Sequence, residues 1–139
     1  MRIISAVTLV LALFALAGCS KPEPISQTHQ GRIETGDQVL STDNSLYDSY
    51  SFEAAEGMTI TATMVSTEFD TYLHLVDASG NQLVHNDDDA TMGAGPNGAT
   101  TNSKVTFVAP STGTYSVWAN TLSAGDTGAY TVTINTTAP

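Results

Sequence analysis

Polar and apolar residues alternate along most of this chain after residue 30, which is the pattern of β-strands with one buried face. The clearest case runs from Met58 to Val65, where three apolar residues alternate with threonines. No stretch sustains the 3.6-residue periodicity of a helix. The sequence therefore predicts about eight strands, near residues 32–34, 49–53, 58–65, 71–77, 82–86, 104–108, 114–121 and 129–135.

Strands with one apolar face bury it by packing as two sheets around a common core. We therefore predict an all-β fold, a two-sheet antiparallel β-sandwich of jelly-roll type. An immunoglobulin-like sandwich is the alternative, although the spaced cysteines and tryptophan of antibody domains are absent. That absence weighs little, because many such sandwiches lack them.

The hairpin between residues 71 and 86 allows a register to be predicted. A turn at Asp77–Asn81, with Gly80 at positive φ, pairs Leu75 with Leu83. This register keeps both leucines in the core and sends the two histidines of the hairpin to opposite faces. A slip by one residue would instead place His74 opposite His85 and create a possible zinc pair, but the hydrophobic pattern opposes it.

The first eighteen residues have the form of a secretory signal. A basic start at Arg2 precedes an apolar run over residues 3–15, which is shorter than the roughly 20 residues of a membrane span. The run ends in Leu-Ala-Gly-Cys at residues 16–19, which resembles the lipobox of bacterial lipoproteins. That resemblance implies cleavage before Cys19 and a covalent lipid on its thiol. The alternative is an ordinary signal peptide with a free cysteine near the cut.

The predicted organisation is a signal peptide over residues 1–18, a lipidated and flexible tether over 19–30, and one domain over 31–136. Without the signal, three basic residues face fourteen acids, a net charge of −11. A negative charge opposes binding to nucleic acid and electrostatic docking on anionic lipid. We therefore expect attachment to the membrane through the covalent lipid. An Asp directly after the lipidated Cys favours retention in the inner membrane, and this chain has Ser20 there instead. In a host with two membranes, the outer membrane is therefore expected.

A set of short motifs, spread from about Gly31 to Asn135, resembles the bacterial pre-peptidase C-terminal domain, a β-sandwich appended to exported enzymes. The motifs are, in chain order, YDSYSF at 47–52, AEG at 55–57, FDTYLHL at 69–75, GN at 80–81, NDD at 86–88, NS at 102–103, TGTY at 112–115 and GAYTV at 128–132. The resemblance implies a usually non-catalytic domain. Some members are removed during secretion, and the related collagen-binding domains bind a polymer and use calcium. No protease precedes the domain here, so we expect it to act alone or on another protein.

Six aspartates are candidate ligands for a calcium cofactor. Asp87, Asp88 and Asp89 are adjacent, their carboxylates repel one another, and a hard cation would relieve this. Asp70 begins the strand expected to pair with them. The second group is Asp43 and Asp48, where the resemblance to the collagen-binding relatives implies calcium near Asp48. The alternative reading is that these residues form turns and keep the surface soluble.

Trp118 is the strongest candidate for partner binding. Tyr115, Val117 and Ala119 form the inward set of its strand, so Trp118 points outward, where an aromatic side chain anchors partners. No nucleophile-elbow or His-Glu-x-x-His motif occurs, so we predict no enzyme. The expected function is lipid-anchored binding of an exported protein or extracellular polymer. An accessory role in maturing a separately encoded protease is the first alternative, and an unrecognised hydrolase is the second.

Overall fold

The computed structural model describes residues 20–93 and 101–139, which form nine β-strands and one short 3₁₀ helix at Ala90–Met92. The strands are β1 (Ser26–Ile33), β2 (Gln38–Val39), β3 (Leu46–Ala54), β4 (Thr59–Val65), β5 (Thr71–Asp77), β6 (Gln82–Asn86), β7 (Ser103–Val108), β8 (Gly113–Thr121) and β9 (Gly128–Thr137). Within these ranges no helix has the length and apolar character needed to cross a bilayer.

The strands form two sheets, with the orders β1-β9-β4-β7 and β2-β3-β8-β5-β6, and all neighbouring strands are antiparallel. Leaving out the two-residue strand β2, each sheet has four strands, and the chain crosses between the sheets as in a double Greek key. This is the jelly-roll arrangement. The predicted fold class is therefore confirmed, with β2 as one strand beyond the predicted number.

The inner faces of the two sheets form the core. In β4 every second residue from Ile60 to Met64 is fully buried, while the threonines between them are partly exposed. β9 repeats this pattern, so the alternation read from the sequence is confirmed in both strands. The largest fully buried apolar side chains come from both sheets: Ile33, Ile60, Met64, Leu73, Leu75, Val76, Val117, Val132 and Ile134.

The two outer faces differ in chemistry. On the four-stranded sheet, β4 and β9 present threonines side by side, with Thr63 paired with Thr133 and Thr61 with Asn135. Thr133 also exchanges a 3.1 Å hydroxyl contact with Thr28 of β1. On the five-stranded sheet, the outward positions of β3, β8, β5 and β6 carry aromatic rings instead. A binding surface is therefore sought on the five-stranded sheet.

The N-terminal strand corrects the predicted tether. β1 begins at Ser26, and the Ile25 amide already donates to the Thr136 hydroxyl at 2.9 Å. His29, which falls within the predicted tether, is half-buried in β1 and stacks on Tyr50 with ring centroids 4.4 Å apart. Alternation missed this segment because it is polar and because pairing with β9 holds it in place. Cys19 and the signal segment lie outside the described residues.

The β5–β6 hairpin corrects the predicted register. Gly80 has a φ of +80° as expected, and Val76 pairs with Gln82, which is the predicted register next to the turn. A bulge then shifts the pairing by one residue, so that Leu75 faces Val84 and His74 faces His85. A bulge inserts one unpaired residue into one strand. The one-residue slip that brings the two histidines together therefore does occur. The turn keeps its predicted pairing, and the shift begins only beyond it, at the bulge.

Candidate functional site

Five aromatic rings form a continuous cluster on the outer face of the five-stranded sheet, which we call the aromatic face: Tyr47, Tyr72, His74, His85 and Trp118. Trp118 lies directly opposite His74, which in turn faces His85. The Tyr47 and Trp118 ring centroids are 4.8 Å apart, and those of Tyr72 and His74 are 4.3 Å apart. Ring pairs at such distances stabilise one another. The cluster thus spans β3, β8, β5 and β6.

His74 lies at the centre of the aromatic face and is 3% exposed. Its Nδ1 donates to the side-chain Oε1 of Gln82 at 2.6 Å, while its Nε2 is buried without a hydrogen-bond partner among the described residues. Burial lowers the pKa of His74 below its usual value, and the neighbouring His85 acts in the same direction. The ring is therefore held neutral, as a packed part of the face.

His85 sits at the exposed end of the aromatic face. Its Nδ1 shares a 2.7 Å hydrogen bond with the Tyr72 hydroxyl. The His74 and His85 ring centroids are 6.0 Å apart, so the histidine pair that the predicted register separated does come together. Within the described residues, however, no group of three or more His, Cys, Asp or Glu side chains is placed to hold a metal ion. The pair therefore packs as part of the aromatic face.

A buried polar link supports the aromatic face from one end. Asn120 is fully buried in β8 between Tyr47 and Tyr72, its cross-strand partners on either side. Its amide donates to the Ser45 hydroxyl and the Leu46 carbonyl, both at 3.0 Å. Ser45 in turn donates its amide to the Asp43 carboxylate at 2.9 Å. The loop before β3 is thereby fastened beside the two tyrosines.

Trp118 points outward as predicted, beside Ser116 and Asn120, and it is half-buried. Aromatic neighbours provide part of its cover, since it packs against Tyr47 and lies 6.3 Å from the His74 ring. Sequence reasoning missed Tyr47 and Tyr72 as members of the same surface. Outward alternation could have selected both residues, but only the strand order β3-β8-β5 makes them neighbours of β8.

The first predicted calcium group is only partly assembled. Burial raises the pKa of the Asp70 carboxyl, and the charges of Asp88, Asp87 and Asp126 raise it further, so these acids do share one end of the sheet. One Asp70 carboxylate oxygen is buried and has no hydrogen-bond partner among the described residues. Asp89 instead caps the 3₁₀ helix by accepting from the Thr91 amide at 2.8 Å.

The second predicted calcium group is not brought together on one face. Asp48 belongs to β3 and accepts a hydrogen bond from the Tyr130 hydroxyl, which also contacts the Tyr50 hydroxyl at 2.6 Å. Asp43 lies in the loop before β3 and accepts from Ser45. Among the described residues, neither group brings three or more His, Cys, Asp or Glu side chains together.

Residues 46–121 match the family model of the bacterial pre-peptidase C-terminal domain. The chain belongs to this family. The matched stretch runs from the start of β3 to the end of β8, and β1 and β9 complete the four-stranded sheet outside it. Pre-peptidase C-terminal domains are generally non-catalytic, propeptide-like or binding domains. No curated relative matches the chain at a significant level.

Proposed function

We propose that this chain is a non-catalytic binding module of the bacterial cell envelope. A lipid on Cys19 would hold it at a membrane, and its aromatic face would engage an exported protein or an extracellular polymer. The observation that carries the proposal is the aromatic cluster around Trp118, set in a domain family that is generally non-catalytic.

The physical case for binding rests on the composition of this face. Trp and Tyr are enriched at the energetic centres of interfaces, because they bury much area while losing few rotamers. Here Tyr47, Tyr72 and Trp118 are each left partly exposed on a sheet that holds their backbone rigidly. The opposite outer face carries threonines at the corresponding positions and supplies a matched comparison within the same molecule.

Retention of envelope components by the purified chain tests the proposal. The wild type, Trp118→Ala and Thr61→Ala would be compared for retention of chitin, peptidoglycan, collagen and extracts of the native envelope. We expect Trp118→Ala to lose the retained partner, whereas Thr61→Ala on the threonine face keeps it. Equal retention by both variants, with unchanged melting curves, would contradict the proposal.

An accessory role in the maturation of a separately encoded protease is the second candidate, and membership of a pre-peptidase family favours it. It differs from polymer binding in its partner. Co-expression with a protease encoded nearby would raise the yield of active protease only if this role is correct, and the pure chain would retain none of the polymers.

Calcium belongs to the proposal as a structural cofactor rather than as part of a reaction. The partnerless oxygen of Asp70 supports it, and the lack of three converging ligands among the described residues weighs against a preformed site. Calcium binding would therefore need Asp87 and Asp88 to move toward Asp70. Melting curves in calcium and in chelator would detect whether calcium binds.

A further inference from the structure

The strands of the sheet that bears the aromatic face carry acidic residues and no basic ones. The five strands of its sheet contain Asp48, Glu53 and Asp77 but no Lys or Arg. The basic residues of the described chain lie elsewhere: Lys21 in the N-terminal segment, Arg32 in β1 and Lys104 in β7. β1 and β7 are the two outermost strands of the other sheet, so no basic side chain originates from the sheet that bears the aromatic face. Lys104 comes nearest to it, since its amide donates to the Asn86 side chain at the end of β6 at 3.4 Å.

Two carboxylates lie at the Tyr72 end of the aromatic face. Asp43 is exposed, and its link through Ser45 to Asn120 fastens it beside Tyr72. Asp87 follows β6 directly after its last residue. Burial raises the pKa of the Tyr72 hydroxyl, and the charges of Asp87 and Asp43 raise it further, which means that both carboxylates act on this ring.

From this arrangement we propose that the aromatic face binds a cationic polypeptide segment, one that presents Arg or Lys side chains to Trp118 and Tyr72. The inference rests on the proposed binding function and names the chemistry of the partner. The faces of Trp and Tyr rings attract cations through their quadrupole, and a guanidinium also stacks on them. Carboxylates at the rim add attraction that an uncharged polysaccharide would not feel and that an anionic polymer would feel as repulsion.

Fluorescence of Trp118, the one tryptophan of the chain, reports binding directly. The full chain carrying Cys19→Ser, which removes the thiol, would be titrated with a short Gly-Arg repeat peptide. Matched peptides would carry citrulline, which keeps the shape of Arg without its charge, or Glu. We expect binding of the Arg peptide alone, weakening as salt rises.

The double variant Asp43→Asn with Asp87→Asn tests the role of the two carboxylates. Two opposite charges about 4 Å apart in water attract by about 1 kcal/mol, so the variant should lower the affinity for the Arg peptide by roughly fivefold per carboxylate. The control is Glu23→Gln with Glu56→Gln, two exposed acids in the N-terminal segment and in the turn after β3, with the same change of net charge. The control should bind the Arg peptide like the wild type.

Three results would overturn the inference: equal binding of the citrulline peptide, equal weakening in the control variant, or no binding of the Arg peptide. If an uncharged polymer is then retained through Trp118, the binding function stands and only the cationic partner is wrong. If no probe and no envelope component depends on Trp118, the binding function fails together with it.

Discussion

Replacing Gly31 by alanine tests how tightly the ring of Tyr130 closes one edge of the sandwich. A Cβ atom at this position would lie 2.8 Å from Cε1 of Tyr130 and closer still to its Cζ and hydroxyl oxygen. Carbon atoms pack at about 3.5–4.0 Å, so the ring would have to move by roughly 1 Å. The ring is 4% exposed and has little room for that shift.

The cost of Gly31→Ala follows from what the ring would lose. Overpacking a filled core costs about 1–3 kcal/mol. The Tyr130 hydroxyl also donates to the Asp48 carboxylate, and losing a hydrogen bond to a charged group costs about 1.5–3 kcal/mol. Alanine in a strand recovers about 0.5–1 kcal/mol relative to glycine. We therefore expect a loss of about 1.5–5.5 kcal/mol, a large part of the roughly 5–15 kcal/mol of a typical domain.

Urea denaturation followed by fluorescence measures this loss. The matched control is Gly113→Ala in β8, where an added Cβ would meet no atom within 4 Å, so its stability should stay level or rise slightly. In a Tyr130→Leu background, Gly31→Ala should cost much less. Equal stability of the two alanine variants, or an unchanged cost in the leucine background, would refute the assignment of the ring of Tyr130 to this contact.

Three further predictions concern charge, protonation and processing. Calcium at 100 times its dissociation constant should add about 2.7 kcal/mol to the stability of the wild type. Asp70→Asn should lose this gain and, in chelator, should be up to about 1 kcal/mol more stable than the wild type, because the ionised Asp70 carboxylate is disfavoured in the fold. Identical melting curves with and without calcium would sink the calcium proposal. Because the pKa of His74 is lowered in the folded state, the unfolded chain binds a proton at this histidine at higher pH than the folded chain does. The free energy of unfolding should therefore stay constant above about pH 6.5 and fall below it by at most about 1.4 kcal/mol per pH unit. In urea titrations His74→Gln should remove this slope and His29→Gln should retain it, and an unchanged slope in His74→Gln would contradict this. Mass spectrometry of the protein isolated from membranes should find Cys19 as an acylated N-terminal residue, and an unmodified thiol there would favour an ordinary signal peptide.

The central strands were predictable because their environment repeats with a period of two. β4, β8 and β9 each have one face in the core, and the inward residues read from the sequence are buried in all three. In β8 the outward Asn120 is buried as well. The strand order needs more than alternation, but two half-apolar sheets of this size leave few arrangements, and the jelly roll is one of them.

The parts that could not be predicted depend on contacts between distant residues. β1 is polar from Ser26 to Gln30, and it is a strand only because β9 offers it a pairing edge. The register of the β5–β6 hairpin follows its turn up to Val76. A bulge beyond that point then places His74 opposite His85 on the same face, where the predicted register had them on opposite faces. Neither event leaves a periodic signal in the sequence.

The aromatic face falls between these two cases. Trp118 could be selected from alternation in one strand, whereas Tyr47 and Tyr72 become its neighbours only through the strand order. Two of the candidate calcium ligands have hydrogen-bond partners that the sequence does not reveal. Asp89 and Asp48 look like metal ligands in the sequence, but in the structure one caps a short helix and the other accepts a hydrogen bond from a buried tyrosine.

Photo-crosslinking in the native bacterium tests the central claim, that the aromatic face is the binding surface, most directly. A benzophenone amino acid would replace Trp118 in one strain, and Ser116 or Thr61 in two others, which compares the aromatic face with its rim and with the opposite sheet. We expect a strong cross-linked product from position 118, a weaker one from 116 and none from 61. Products of equal strength from 118 and 61, or a product from 61 alone, would contradict this claim.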